Sequence, residues 1–235
     1  MNTLKARLVT FFTKLPFIGI YLKKLVNSYR TRNFGSSADY WEGRYTIGGN
    51  SGSGSYNRLA RFKADYLNTF VAKNSVTSLI EFGCGDGNQL SLADYPNYHG
   101  YDVSNAIIDK CRATFASNED YAFSHIDSYD GQKYDLALSL DVIYHLVEEQ
   151  VFSDYMKRLF AAAERFVIIY SSDDPDLNEK YGGGHVRHHK FTAWIDANAK
   201  NFKLKQRDVN KFPFNSNDPE NTSLADFYIF EKSGV

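Results

Sequence analysis

Three glycines stand at alternate positions directly after a short apolar run that ends in an acid. The acid is Glu81 and the glycines are Gly83, Gly85 and Gly87. This pattern predicts a buried strand and then a tight turn, whose backbone can lie close to a bound group because glycine has no side chain. A second predicted strand ends in Asp102, about twenty residues later, where nucleotide-binding folds place a carboxylate that accepts hydrogen bonds from ribose hydroxyls. The spacing therefore indicates a site for a nucleotide-like cofactor.

The glycine spacing distinguishes two kinds of cofactor motif. A dinucleotide fingerprint, Gly-x-Gly-x-x-Gly, would need a third glycine where Asn88 stands. Residues 81–87 instead match acid-x-Gly-x-Gly-x-Gly at every position, and they resemble motif I of the class I S-adenosylmethionine-dependent methyltransferases. The resemblance covers residues 40–232. It implies a Rossmann-like α/β fold with a mostly parallel seven-stranded sheet, an antiparallel last strand and helices on both faces. It also implies S-adenosyl-L-methionine as the cofactor and S-adenosyl-L-homocysteine as the product.

The segment before motif I resembles a lid that closes over the cofactor in this family. It consists of an aromatic hexapeptide, residues 40–45, and a glycine- and serine-rich stretch, residues 48–55. By that resemblance Trp41 or Tyr40 covers the sulfonium and Arg44 pairs with the methionyl carboxylate. By the same resemblance, Asp127, the acid at the end of the third predicted strand, accepts a hydrogen bond from the adenine amino group. The cofactor-binding residues expected in this way are Tyr40, Trp41, Arg44, Glu81, Gly83, Gly85, Asp102, Val103, Asp127, Ser128 and Asp141.

The fourth predicted strand, residues 134–142, ends where an open α/β sheet places its active site. This brings Asp141, Tyr144 and His145 to the reaction centre. Methyl transfer to a hydroxyl requires removal of a proton, so His145 is the first candidate for the general base. His185 or His188 is the second. The residues expected to bind the acceptor are Tyr144, Arg187 and His189.

The histidine-rich stretch 185–189 also raises the possibility of zinc binding. No cysteine or further histidine lies nearby in the sequence to complete a shell of ligands, so no metal site is expected. Arg187 is instead expected to offer a fixed charge to an anionic or hydroxyl-rich acceptor.

The remaining elements must bring these residues together. Ser55 is expected to cap a helix over residues 56–71, and Ser104 a second helix that packs on the sheet. A further helix is expected over residues 191–197. The other predicted strands cover residues 121–126, 165–171, 202–209 and 226–232, of which the last two form the antiparallel pair that closes the sheet.

The chain divides into a basic amphipathic extension, residues 1–36, and a methyltransferase domain, residues 37–235, whose lid is residues 37–55. Residues 1–34 contain seven bases and no acid, which leaves a net charge of −8 on the remainder. The apolar and basic segment 4–26 suits a helix on an anionic membrane surface, an arm on a partner chain, a cover for the protein's own core or a transit peptide. With two cysteines, Cys84 and Cys111, a cytoplasmic protein is expected, peripheral on the inner face of the cell membrane if the segment binds lipid. A homodimer is left open.

The first hypothesis is O-methylation of a sugar, a glycan or a phosphoryl-bearing small acceptor. Residues 40–81 and 138–171 resemble uncharacterised methyltransferases of bacterial surface-polysaccharide clusters. The alternatives are methylation of a natural product, another enzyme on the same cofactor fold such as an aminopropyl transferase, and a non-catalytic membrane-associated S-adenosylmethionine-binding protein. Nucleic acid is not an expected partner, because the domain is acidic and lacks the Asn/Asp-Pro-Pro-Tyr/Phe motif after its fourth strand.

Overall fold

The computed structural model of the protein describes residues 34–234. The proposals for segment 4–26 therefore lie outside the described residues and stay predictions. Within residues 34–234, no helix combines the length and the apolar character that crossing a membrane requires.

The fold is one seven-stranded sheet with the strand order β3-β2-β1-β4-β5-β7-β6. Strands β1 to β5 run parallel, and β7 is antiparallel to both of its neighbours. The strands are β1 Ser78–Phe82, β2 Asn97–Asp102, β3 Tyr121–His125, β4 Tyr134–Leu140, β5 Ala163–Ser171, β6 Phe202–Asp208 and β7 Asp226–Lys232. The helices are α1 Ser37–Thr46, α2 Asn57–Lys73, α3 Asn105–Thr114, α4 Glu149–Ala161, α5 Asn178–Tyr181 and α6 Phe191–Asn198. This architecture confirms the predicted fold class.

Helices cover both faces of the sheet, which explains why the central strands are apolar at nearly every position. Leu79 of β1 packs in the cluster that contains Leu67 of α2 and Ile108 of α3. The next residue, Ile80, points to the other face and packs in the cluster that contains Met156 of α4. Burial on both faces fixes the register of β1, and with it the direction in which the following glycine turn leaves the sheet.

The two predicted helix caps have different outcomes. Ser104 caps α3 as predicted, because its hydroxyl accepts from the backbone N–H of Ile107 at 3.3 Å. The prediction for Ser55 is wrong: α2 begins at Asn57, and Ser55 ends a short 3₁₀ turn, Ser53–Ser55. The carbonyl of Ser55 instead accepts from Nδ2 of Asn88 at 2.6 Å, which ties this turn to the glycine loop.

Candidate active site

A cavity of about 340 Å³ opens at the carboxyl ends of β1, β2 and β4. Its lining includes seven of the residues expected to bind the cofactor. These are Trp41, Glu81, Gly83, Gly85, Asp102, Val103 and Asp141. The first candidate base, His145, also lines it. The polar residues at the carboxyl ends of the parallel strands thus meet in one cavity, which is where an open α/β sheet binds its ligands.

The glycine turn can form only because the motif residues lack side chains. Gly83 and Gly85 have φ values of +88° and +59°, in the region that other residues adopt at a cost. A Cβ on Gly83 would lie 2.5 Å from Val142, and a Cβ on Gly85 would collide with the hydroxyl of Ser51. The turn can therefore pack against Val142 and Ser51 only with glycine at both positions.

Asp102 is buried at the end of β2, where two backbone N–H groups hold its carboxylate. Gly85 donates to Oδ2 at 3.0 Å and Ser104 donates to Oδ1 at 3.1 Å. Burial raises the pKa of Asp102 to about 6, although these hydrogen bonds oppose the rise. Each carboxylate oxygen keeps a second lone pair, so the residue can still accept from the two hydroxyls of a ribose.

Glu81, the acid that opens the motif, is also buried in the cavity wall. Oε2 of Glu81 accepts from the hydroxyl of Tyr98 at 2.6 Å. Burial raises the pKa of Glu81 to about 7, against the opposing influence of Tyr98 and Lys63. At neutral pH Glu81 is therefore partly protonated.

The predicted lid, residues 37–55, lies over the glycine turn and is held at both ends by carboxylates. At its start, Glu148 accepts from the backbone N–H of Ser37 at 2.8 Å and from its hydroxyl at 2.5 Å. At its end, Oδ2 of Asp86 accepts from the backbone N–H of Ser51 at 3.0 Å and from the hydroxyl of Tyr56 at 2.7 Å. The lid helix α1 is thereby fixed over the cavity.

The aromatic residues of α1 meet two of the predicted catalytic histidines. The ring of Tyr40 stacks on His185, with centroids 4.1 Å apart. Trp41 packs its ring edge-on against His145 at 4.9 Å and lines the cavity, whereas Tyr40 lies outside it. Trp41 is thus the lid aromatic in position to face a bound sulfonium.

Arg44 lies outside the cavity and stabilises the lid itself. Its Nε donates to the carbonyl of Asn50 at 2.6 Å, and its Nη2 donates to the side-chain oxygen of the same residue at 3.3 Å. Nη1 donates to the hydroxyl of Tyr40 at 3.3 Å. With its donors engaged in this way, Arg44 does not point a guanidinium at the cavity, where the expected methionyl carboxylate would lie.

His145 is held in the tautomer that a general base needs. Its Nδ1 lies 3.0 Å from the carbonyl oxygen of His185. A carbonyl can only accept, so the hydrogen sits on Nδ1, and Nε2 carries the lone pair. Burial lowers the pKa of His145 to about 4, so the ring is neutral at physiological pH.

A buried ion pair that the sequence did not suggest lies beside His145. Nζ of Lys63, whose side chain is fully buried, lies 2.5 Å from Oδ2 of Asp141. Oδ1 of Asp141 accepts from the hydroxyl of Tyr144 at 2.7 Å. Asp141 adopts a φ of +59°, a backbone conformation that is uncommon for a residue other than glycine. One signal was available: Lys63 lies four residues from both Leu59 and Leu67, on the apolar face of α2.

Residues 187–189 of the histidine-rich stretch lie outside the cavity and make structural contacts. Arg187 pairs with Glu149 at 2.7 Å and donates to the carbonyl of Val147 at 3.0 Å. His189 stacks on Phe152 at 4.0 Å. His188 is buried, with Nδ1 2.6 Å from the hydroxyl of Ser172. These contacts attach the stretch 185–189 to α4, to Val147 just before it and to Ser172 after β5.

No three His, Cys, Asp or Glu side chains come together as a metal-binding group anywhere in residues 34–234.

The adenine-binding pair predicted at the end of β3 also lies outside the cavity. The side chain of Asp127 is 85% exposed, and Ser128 is exposed as well. The residue before them, Ile126, lines the cavity together with Val103. An adenine ring would therefore meet apolar side chains here, while the prediction of a hydrogen bond to Asp127 finds no support in its placement.

The cavity fits S-adenosylmethionine by the chemistry of its walls. Asp102 offers acceptors for a ribose, Val103 and Ile126 offer apolar surface for a base, and Lys63 with Asp141 offers charges of both signs for an amino acid. When bound, this cofactor supplies a methyl group on a cationic sulfur that is already an activated leaving group.

A protein family model matches part of the chain. Residues 80–166 match the family model described as a methyltransferase domain. No curated protein matches the chain.

Solved structures give the fold. The N-methyltransferase NodS from Bradyrhizobium japonicum WM9 with S-adenosyl-L-homocysteine has a TM-score of 0.61 at 14% identity, over 85% of this chain and 100% of that one. Magnesium protoporphyrin IX methyltransferase from Synechocystis PCC 6803 with bound SAH has a TM-score of 0.58 at 17% identity, over 90% and 100%. The methyltransferase domain of bacterial CtHen1-C has a TM-score of 0.59 at 18% identity, over 74% and 99%.

These identities are too low to transfer an acceptor, but the matched segment runs from β1 into β5 and contains the glycine turn and Asp102. Residues 80–166 are thus identified as a methyltransferase domain, the fold is that of solved class I S-adenosylmethionine-dependent methyltransferases, and S-adenosylmethionine is the cofactor that the cavity fits.

Proposed function

We propose that the enzyme methylates a hydroxyl oxygen of a small or glycan-linked acceptor, with His145 as the general base. The observation that carries this proposal is the hydrogen bond from Nδ1 of His145 to the carbonyl of His185. It leaves Nε2 as the basic nitrogen of a neutral ring in the cavity wall. A hydroxyl is a poor nucleophile until it loses its proton, and a neutral imidazole can take that proton as the new O–C bond forms.

The position of Arg187 makes a phosphoryl acceptor less suitable. A phosphoryl oxygen is already anionic and needs cationic clamps in place of a base. Arg187, the cation expected in that role, is paired with Glu149 and lies outside the cavity. A hydroxyl acceptor uses His145, whereas an anionic acceptor would have to use the cations of the cavity wall, which are Lys63, already paired with Asp141, and Arg158.

The biological setting rests on the sequence resemblance alone. We infer from residues 40–81 and 138–171 that the acceptor belongs to the synthesis of a bacterial surface polysaccharide, with a natural product as the alternative. A screen of nucleotide sugars, phosphorylated sugars and glycans for release of S-adenosylhomocysteine would test it. Turnover of a sugar hydroxyl supports the proposal. Cofactor binding without turnover of any acceptor class would favour the non-catalytic alternative.

The role of His145 is tested by His145→Gln with the acceptor found in that screen. The glutamine amide can still donate to the carbonyl of His185, but it cannot accept a proton. We expect kcat to fall by roughly 10²- to 10⁴-fold, with unchanged affinity for S-adenosylhomocysteine. His99→Gln, on β2 and outside the cavity, is the matched control. A His145→Gln enzyme that methylates a hydroxyl as fast as the native enzyme would remove His145 from this role.

A further inference from the structure

Three buried side-chain polar atoms among residues 34–234 have no hydrogen-bond partner: Oε2 of Glu42, Oε1 of Gln89 and Nε2 of His188. Of these residues only Gln89 lines the cavity. It is 7% exposed, and it directly follows Asn88 at the end of the glycine turn. An acceptor buried without a donor is costly, so its place in the cavity wall indicates a ligand group that donates to it.

The orientation of the Gln89 amide is fixed by its other end. Nε2 donates to the carbonyl of Ala60 in α2 at 3.0 Å. Rotation of the amide by 180° would set its oxygen against that carbonyl, so Oε1 must be the atom left without a partner. The ligand group that meets it is therefore a donor.

Lys63 stands one turn after Ala60 on the same helix and lines the same cavity. Its ammonium has three N–H groups, of which one is used by Asp141. Since Lys63 and Asp141 form a buried pair with no net charge, a ligand that carries one charge of each sign can join them and give every charge an opposite neighbour. A zwitterionic amino acid has this property, whereas a single anion or cation would leave one charge without a partner.

We propose that Gln89 and Lys63 bind the amino-acid end of the cofactor. Oε1 of Gln89 accepts from the methionyl ammonium, and Nζ of Lys63, which also donates to Asp141, donates to the methionyl carboxylate. This assigns to Lys63 the role that the sequence suggested for Arg44, whose donors are engaged within the lid. The inference rests on the cofactor and is independent of the acceptor and of His145.

Calorimetric titration with four ligands tests the assignment. S-adenosylhomocysteine carries both charges of the amino acid, its decarboxylated analogue keeps the ammonium, its deaminated analogue keeps the carboxylate, and 5′-methylthioadenosine lacks both. The variant Gln89→Met keeps the volume of the side chain and removes the acceptor. Gln206→Met, on the exposed edge strand β6, is the matched control.

For Gln89→Met, we expect the affinity for S-adenosylhomocysteine and for the decarboxylated analogue to fall roughly tenfold or more. Affinity for the deaminated analogue and for 5′-methylthioadenosine should stay within about twofold of the native value. Equal losses for S-adenosylhomocysteine and 5′-methylthioadenosine, or no loss for either, would overturn the role of Gln89.

Lys63 is tested in the double variant Lys63→Met, Asp141→Asn, which removes both buried charges together and leaves neither unpaired. S-adenosylhomocysteine and the deaminated analogue should both bind less tightly by roughly tenfold or more, while 5′-methylthioadenosine is unaffected. If this double variant melts far below the native protein, Lys63→Arg takes its place. The assignment then requires that Lys63→Arg change the affinity for the two ligands with a carboxylate, S-adenosylhomocysteine and the deaminated analogue, more than the affinity for 5′-methylthioadenosine. If each variant changes the affinity for the deaminated analogue and the affinity for 5′-methylthioadenosine by the same factor, Lys63 does not bind the carboxylate.

Discussion

Asp86 and Ser51 exchange two hydrogen bonds across the join between the lid and the glycine turn. The backbone N–H of Ser51 donates to the carboxylate of Asp86 at 3.0 Å, and the backbone N–H of Asp86 donates to the hydroxyl of Ser51 at 2.8 Å. The hydroxyl of Tyr45, in the cavity wall, lies 3.0 Å from the same serine oxygen. A single residue between two motif glycines thus connects the cofactor turn to the segment that covers it.

Asp86→Ala should loosen the lid and weaken cofactor binding. The change removes the acceptor for Ser51 and Tyr56, and we expect the Kd for S-adenosylhomocysteine to rise on the order of tenfold. In a Trp194→Phe background, Trp41 is the sole tryptophan, so a red shift of its emission would report its exposure. Asp109→Ala, an exposed acid on α3, is the control. An unchanged Kd together with unchanged emission would contradict the role given to Asp86.

The same contact predicts how acid affects the lid. Burial raises the pKa of Asp86, but the hydrogen bonds from Tyr56, Ser51 and Asn88 outweigh burial and hold that pKa below its ordinary value. In the unfolded chain the pKa of an aspartate is about 3.9, and in the folded protein the pKa of Asp86 is lower. The charged carboxylate therefore stabilises the closed lid fully above about pH 3.9, and this stabilisation is lost as the pH falls through the folded-state pKa. Trp41 emission in the Trp194→Phe protein should therefore change below about pH 4 and stay constant above it. A transition near neutral pH would point to a different group.

Gly85→Ala and Gly131→Ala separate backbone strain from lid contact. Both glycines have positive φ, +59° and +94°, so alanine is strained at either position. A Cβ on Gly131 meets nothing within 4 Å, whereas one on Gly85 collides with Ser51. In chemical denaturation we expect Gly131→Ala to lose about 1 kcal/mol of unfolding free energy from backbone strain, and Gly85→Ala to lose more because its Cβ also collides with Ser51. Only Gly85→Ala should also lose most of its affinity for S-adenosylhomocysteine. Equal affinities of the two variants would show that the lid does not need this glycine.

The cofactor end of the site was predictable from the sequence because its signals are local. Glu81, the three glycines and Asp102 lie within one strand, turn and strand, and their backbone geometry follows from residue type and spacing. The mostly parallel sheet with an antiparallel last strand followed from the resemblance to the methyltransferase family, and the strand order comes from the structure. Element boundaries shifted by a few residues, as for β4, which ends at Leu140 instead of residue 142.

The contacts of charged side chains were not predictable, because distant segments decide them. Lys63 finds Asp141, 78 residues away, and Arg187 finds Glu149, 38 residues away. Arg44 has the chemistry to bind a carboxylate, but the loop that follows it lies close enough to engage its guanidinium. The sequence shows which groups need partners, and only the packed structure shows which partners they obtain.

Asp102 should release a proton when S-adenosylhomocysteine binds near pH 6. Its pKa is raised to about 6 by burial, so part of the population is protonated at that pH. Ribose hydroxyls donate to the charged carboxylate, so binding favours loss of the proton. Calorimetry at pH 6 in buffers of different ionisation enthalpy should show this release, and it should vanish by about pH 8. Asp102→Asn should abolish it. Release that persists in the Asn variant would assign the proton to Glu81, whose pKa is raised to about 7.

Tyr155→Phe should weaken the connection between α4 and the glycine turn. The buried hydroxyl of Tyr155 contacts the carbonyl of Phe82 at 2.9 Å and the hydroxyl of Ser139 at 2.7 Å. Its removal leaves the Phe82 carbonyl, directly before Gly83, without this donor. We expect a loss of about 1–3 kcal/mol of unfolding free energy. Tyr129→Phe removes a more exposed hydroxyl, bonded to the Gln132 carbonyl, and should cost less.

Ligand binding decides what the Tyr155 hydroxyl does beyond stability. If the Tyr155 hydroxyl fixes the position of the carboxyl end of β1, Tyr155→Phe should bind S-adenosylhomocysteine and 5′-methylthioadenosine less tightly by the same factor. The reason is that the adenosine part, which both ligands share, lies at that end of the sheet. A variant that loses stability and keeps both affinities would make the contact purely structural. A loss confined to S-adenosylhomocysteine would instead place the effect at the amino-acid end, beside Gln89 and Lys63.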